Sequence, residues 1–258
     1  MKILKTPQHY IDWSAVGGYE KFIADYHNAP TYDDKRILIE SLPLQTNPDW
    51  KNARRGHITA STMKDFLGMD RTGKKAGVGY KKLVKRLVAE NIGWTEQEQT
   101  WGEKSSTKRG LLFERRAVEL FEKETGIKLK TDIGFISDEI DGLPLGYSPD
   151  AYAEKDGKIE CLAEIKSFEL CRILDELEIL HSPDVCEQMQ AGMYLADCPR
   201  CFKILYSAEL DKIFYLKYTR GQDFARRLHD RIPLALAYKE KIENNLKYTD
   251  LTDKIMDE

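Results

Sequence analysis

The chain has 258 residues, 41% of them hydrophobic and 32% charged, which is enough to bury one sizeable core or two small ones. No apolar run approaches the ~18 residues of a membrane span, and the N-terminal MKILKTPQHYIDW lacks an export signal, so a cytoplasmic protein is expected. A formal net charge of −3 does not advertise a nucleic-acid partner, and an odd count of five cysteines argues for free thiols over a disulfide framework.

Residues 1–50 hold Pro7, Pro30, Pro43 and Pro48 among several aromatics. Two helices are predicted there, YEKFIADYHNA and TYDDKRILIESL, the second capped by Thr31. This segment is expected to pack as an N-terminal helical extension on a single domain spanning 1–258. ITASTMKDFLG (58–68) predicts a helix start with Thr59 or Ser61 as cap and Gly68 as stop. The run RTGKKAGVGYKKLVKR (71–86) is rich in Lys and Arg and contains no acid. It suits either phosphate contact or a solvated face.

Two amphipathic helices follow, GYKKLVKRLVAENIG (79–93) and KRGLLFERRAVELFEKETG (108–126). Short strands are predicted at GFISD (134–138), in a hairpin over 146–169, and at CFKILYSAEL and DKIFYLKYT. Between them SPDVCEQMQAGMYLAD (182–197) reads as a helix with Ser182 as cap and Pro183 at its first position. A long helix covers roughly 220–247. This order defines an α/β (α+β) domain. Cys198-Pro-Arg-Cys201 is a lone C-x-x-C, better read as free thiols than as a metal site. His9, His181 and His229 show no metal-ligand spacing, and His57 reads as a packed or solvated ring.

The hairpin GYSPDAYAEKDGKIECLAEIKSFE carries the chemistry. Alternate strand residues share a face, so Ile159, Cys161, Ala163 and Ile165 form an apolar row, while Glu160, Leu162, Glu164 and Lys166 form the other. Asp156-Gly157 supplies the turn. A strict two-residue turn sets Asp150 opposite Ala163, whereas one extra residue sets it opposite Glu164. The second register gathers Asp150, Glu164 and Lys166. Two carboxylates that close call for a divalent cation, and hard oxygen donors suit Mg²⁺ or Mn²⁺. Lys166 would then orient or deprotonate the attacking water. On the 108–126 helix, Glu114 lies along the Ala117–Val118–Phe121 stripe and needs a partner. Gln188 sits beside the Val185–Met189–Met193 stripe.

Pro149-Asp150 followed by Glu164-Ile165-Lys166 resembles the PD-(D/E)xK nuclease signature. Together with RRGHITAS (54–61), RGLLFERRAVELFE (109–122) and EQMQAGMYL (187–195), in that order, it resembles the lambda-exonuclease/YqaJ-type viral recombinase nucleases over roughly residues 50–220. The resemblance implies a restriction-endonuclease-like core, a central mixed sheet flanked by helices. It implies Asp150 and Glu164 as metal ligands with the Ile165 carbonyl, Lys166 as catalytic lysine, and Glu114 and Gln188 as further active-site groups. Arg54, Ser61, Ser148 and Arg172 fall where such nucleases bind a terminal 5′-phosphate. The implied activity is 5′→3′ digestion of linear duplex DNA with two Mg²⁺ ions in phage-type recombination. A trimeric ring and a single-strand annealing partner in a bacterial host come with it. The rivals are a restriction- or repair-type endonuclease and a non-catalytic DNA-binding module. The segment WTEQEQTWGEKSST (94–107) departs from the family, with Arg109-Gly110 replacing its aromatic-glycine pair.

Overall fold

The computed structural model describes residues 1–6, 9–94, 105–178 and 183–248; Ser182, His181 and most of the 94–107 departure lie outside these. The chain begins with a strand, β1 (Lys2–Leu4). Strand β2 (His9–Ile11) then pairs antiparallel with β3 (Leu44–Thr46), and helices α1 (Tyr19–Asn28) and α2 (Tyr32–Glu40) lie between them in sequence. A capping box starts α2: the Asp34 amide donates to Thr31 Oγ1 at 3.1 Å, and the Thr31 amide donates back to the Asp34 carboxylate at 3.2 Å. Helix α3 (Pro48–Arg54) carries Pro at its first position and Asn47 as cap.

The helix expected over 58–68 starts late. Ile58 and Thr59 instead form β4 (Ile58–Thr59), parallel to Leu145 and Gly146. A 3-10 turn at Ala60–Thr62 and the short α4 (Met63–Leu67) follow, and neither Thr59 nor Thr62 caps through its side chain. Two β-branched residues beside an open strand edge complete the sheet, and that pairing overrides the local capping signal. Helices α5 (Gly79–Asn91) and α6 (Ser105–Thr125) come next. In α5, Tyr80, Val84, Leu87 and Val88 are buried, which turns the lysines of the basic run toward solvent.

Strands β5 (Phe135–Ile140) and β6 (Leu143–Tyr147) join through Asp141-Gly142, both at positive φ, the conformation a two-residue hairpin turn needs. With β1 on one edge and β4 on the other they make a mixed sheet of order β1-β5-β6-β4. The first fifty residues thus add an edge strand to a sheet as well as two helices. A second mixed sheet contains β7 (Ala151–Lys155), β8 (Lys158–Phe168), β9 (Arg200–Ser207) and β10 (Lys212–Thr219) in the order β10-β9-β8-β7. Strands β8 and β9 are parallel; the chain between them contains α7 (Leu170–Glu178) and α8 (Pro183–Leu195). Helix α9 (Gln222–Tyr248) closes the fold.

Each face of the second sheet has its own core. Leu162 faces α8 and α9 among Tyr147, Met193 and Leu228, whereas Ala163 and Ile204 face α6 among Phe113 and Phe121. Helix α8 comes very near β6: a Cβ on Gly192 would lie 2.6 Å from the Tyr147 ring. That approach fixes the Tyr147 side chain, whose hydroxyl reaches Glu164.

Candidate active site

The site is set by one irregularity. Asp156 and Gly157 take positive φ (53° and 75°) and close a two-residue turn that pairs Lys155 with Lys158 and Glu154 with Ile159. Glu160 is then an extra residue in β8, so Ala153 faces Cys161 and Ala151 faces Ala163. One position further back, the Asp150 amide donates to the Ala163 carbonyl at 3.2 Å, and the Ile165 amide donates to Asp150 Oδ2 at 2.7 Å. Asp150 and Glu164 therefore meet. The extra residue sits in a strand bulge and not in the loop. The bulge also splits the expected apolar row: Ile159 packs with the Leu162 side, while Cys161, Ala163 and Ile165 pack with α6.

Around Glu164, which is 4% exposed, the groups converge. Lys166 Nζ lies 2.7 Å from Glu164 Oε1 and 3.7 Å from Asp150 Oδ2. Gln188 Nε2 donates to the same Glu164 oxygen at 2.8 Å, and the Tyr147 hydroxyl donates to Oε2 at 3.1 Å. Glu114 reaches the cleft from α6. Tyr147 was not foreseen: in LPLGY it reads as one more core residue, and only its buried hydroxyl, which needs a partner, hints at more.

A second group lies beside the first. Arg54 Nη2 is 3.5 Å from both Thr59 Oγ1 and Ser61 Oγ, and these two hydroxyls are 3.2 Å apart. The Arg54 guanidinium stands 5.2 Å from the centre of the Trp50 ring, whose Nε1 donates to Ser148 Oγ at 2.8 Å. Freed from capping, Thr59 and Ser61 can face a ligand. Arg172 enters from α7, paired with Glu176 at 2.9 Å and packed over Phe168. His57 is a packed ring, 5.4 Å from Phe135, with Nδ1 at 3.0 Å from the Arg55 carbonyl. Cys161, Cys198 and Cys201 are buried free thiols.

One cleft of about 700 Å³ is lined by Asp150, Glu164, Ile165, Lys166, Glu114 and Gln188, and also by Arg54, Ser61, Ser148 and Arg172. At its hydrolytic end, Asp150, Glu164 and Glu114 crowd together with Lys166 as the cation acting on them. Burial, and then the neighbouring Glu164, push Asp150 up to about 7. Burial, and then Asp150, push Glu114 up to about 8. Burial alone would lower Lys166, but Glu164 and Asp150 override it and hold the ammonium charged. Among the described residues no three His, Cys, Asp or Glu side chains form a ready metal cage. The donor set is two carboxylates beside a strand carbonyl. It fits a hard divalent cation that keeps several waters, and such a cation would relieve the repulsion between the acids.

A stability signature follows from the sign of these shifts. Asp150 and Glu114 have folded values above their ordinary values of 3.8 and 4.5, so their contribution is fully present near pH 4 and is lost as pH rises through about 7 and 8. In EDTA, the melting temperature of the wild type is expected to fall relative to Asp150→Asn by on the order of 5 °C between about pH 5 and pH 8. Parallel profiles for the two proteins would contradict this.

The mixed sheets flanked by helices make a PD-(D/E)xK-type nuclease fold, with Glu164 and Lys166 on β8. Residues 49–199, more than half of the chain, match the YqaJ-like viral recombinase domain; the protein belongs to that family and, with it, to the deoxyribonucleases. Comparison with curated proteins gives no match. Among solved structures, the alkaline exonuclease LHK-Exo from Laribacter hongkongensis superposes with a TM-score of 0.63 at 21% identity, over 80% of this chain and 99% of its own. That protein has also been solved in complex with dAMP. A phage-related exonuclease from Haemophilus somnus 129PT gives a TM-score of 0.57 at 15% identity, over 76% and 98% of the two chains. These likenesses concern the fold.

Proposed function

We propose that the protein is a Mg²⁺-dependent exonuclease that digests one strand of linear duplex DNA in the 5′→3′ direction, serving phage-type recombination in a bacterial cytoplasm. The observation that carries this reading is that Ser148 and Asp150 join two groups in one cleft: an Arg–hydroxyl pocket suited to a phosphate and a carboxylate–lysine cluster suited to hydrolysis. Asp150, Glu164 and the Ile165 carbonyl would hold two Mg²⁺ ions, for which Mn²⁺ can substitute. When bound, the metal supplies Lewis acidity and a water of lowered pKa. The remaining work belongs to the chain. Arg54, Ser61, Ser148 and Arg172 grip the terminal 5′-phosphate, and its capture sets the next linkage over Asp150 and Glu164, converting binding into positioning. Lys166 donates to the scissile phosphate or its attacking water. Gln188 and Tyr147 hold Glu164 in place, and Glu114 completes the acidic wall. LHK-Exo and the Haemophilus protein, both exonucleases by name, support an end-directed reaction. A trimeric ring and a single-strand annealing partner complete the proposal. No helix among the described residues is long and apolar enough to cross a membrane.

The pocket has its own test. Duplexes with 5′-phosphate ends are expected to be digested faster than the same duplexes with 5′-hydroxyl ends. Arg54→Ala should erase most of that preference, about 10–100-fold for a charge-assisted contact, because only the phosphorylated end loses a partner. Equal wild-type rates on both ends would remove the pocket and favour an endonuclease.

A further inference from the structure

Residues 1–48 lie outside the span that matches the family, yet they build one wall of the cleft. Tyr32, Lys35 and Arg36 of α2 line it together with the groups already described. The wall is anchored at both ends. Lys108 at the start of α6 donates to the Glu40 carbonyl, and the Tyr32 hydroxyl donates to Glu169 just before α7. Arg109 also reaches Glu169, at 3.4 Å. Tyr32 is 62% exposed although its hydroxyl is tethered to Glu169, so a large aromatic side chain is held at the solvent boundary of the cleft.

Charge points the same way. The cleft is lined by six Lys or Arg side chains (Lys35, Arg36, Arg54, Arg109, Lys166, Arg172) against four carboxylates (Glu114, Asp150, Glu164, Glu169). In a chain of net charge −3 that is a local cationic excess, and α2 supplies two of the six cations. Three of the four acids belong to the hydrolytic cluster. An exposed aromatic face flanked by cations is the design of a single-strand platform, because a base offers its face for stacking only when unpaired.

Resting on the exonuclease reading above, we propose that α2 is a second nucleic-acid contact, Lys35 and Arg36 holding backbone phosphates while Tyr32 stacks on an unpaired base. The cleft then receives a DNA strand already separated from its complement.

The full-length protein in EDTA, where no hydrolysis occurs, is titrated with a 5′-phosphorylated single-stranded oligonucleotide at several salt concentrations. The Lys35→Ala/Arg36→Ala double variant is expected to bind about tenfold more weakly, with the slope of log K against log salt reduced by about 1.4, since each single-strand phosphate contact contributes about 0.7. Tyr32→Ala is expected to weaken binding about tenfold with the slope unchanged, while Tyr32→Phe, which keeps the ring and loses the Glu169 bond, binds like wild type. Unchanged affinity and slope in the double variant, with wild-type cleavage of linear duplex intact, would overturn the α2 contact alone. Failure of the wild type both to bind the oligonucleotide and to cleave linear duplex in Mg²⁺ would overturn the exonuclease reading along with it.

Discussion

Replacing Lys166 by alanine is expected to lower DNA cleavage by about 10³-fold or more while leaving divalent-cation binding nearly intact. The asymmetry comes from what an ammonium can do. Lysine offers three donors and no acceptor, so it cannot ligate a metal. Its neighbours Glu164, at 2.7 Å, and Asp150, at 3.7 Å, keep it protonated. Of the two roles that the sequence left open, orienting the water and deprotonating it, this charge state favours the first. Lys166 serves as a positioned cation for a phosphate gaining negative charge, or as a donor to the attacking water. Without it, Asp150 and Glu164 repel each other more strongly, which favours a cation between them. Calorimetric titration with Mn²⁺ beside a cleavage assay separates the two functions. Loss of metal binding in Lys166→Ala, or near-normal cleavage by it, would sink the assignment.

Asp150→Asn is expected to fail in both assays, with cation binding weakened about 10–100-fold and cleavage lost to a similar or greater extent than in Lys166→Ala. The amide keeps the size of the side chain, and its oxygen can still accept the Ile165 amide, so the strand geometry survives while the charge does not. Glu164→Gln should act in the same direction with a stability cost added. Glu164 accepts from Tyr147, Lys166 and Gln188, and a carboxamide has one donor group too many for that neighbourhood. Asp150→Asn is therefore the cleaner test. Wild-type Mn²⁺ binding by that variant would place the metal elsewhere.

The features legible in the sequence were those whose signal is local. Alternation in β8, the Asp156-Gly157 turn and the stripe on α6 are written within a dozen residues each, and they led to Asp150, Glu164, Lys166 and Glu114. The need for a one-residue shift was also legible, because the shift follows from bringing two carboxylates together. Its location was not. The bulge falls at Glu160, which is paired with Arg200 from the neighbouring strand forty positions away. The same limit explains Thr59 and Ser61. Their capping signal is real, but Thr59 pairs in parallel with β6 and Ser61 falls in the 3-10 turn that follows, and both hydroxyls lie beside Arg54. Trp50 and Tyr147 matter through partners 98 and 17 residues distant. Strands β1 to β3, three residues each, are too short to carry a periodic pattern, and the cleft wall formed by α2 exists only once that helix is docked on α6.

Hydrolysis that begins at a DNA end is decided by incubating the protein with Mg²⁺ and a duplex supplied in linear and in covalently closed circular form. Linear DNA is expected to be progressively degraded to mononucleotides while the closed circle of the same sequence stays intact, and EDTA is expected to abolish the reaction. Nicking or linearisation of the closed circle would contradict it.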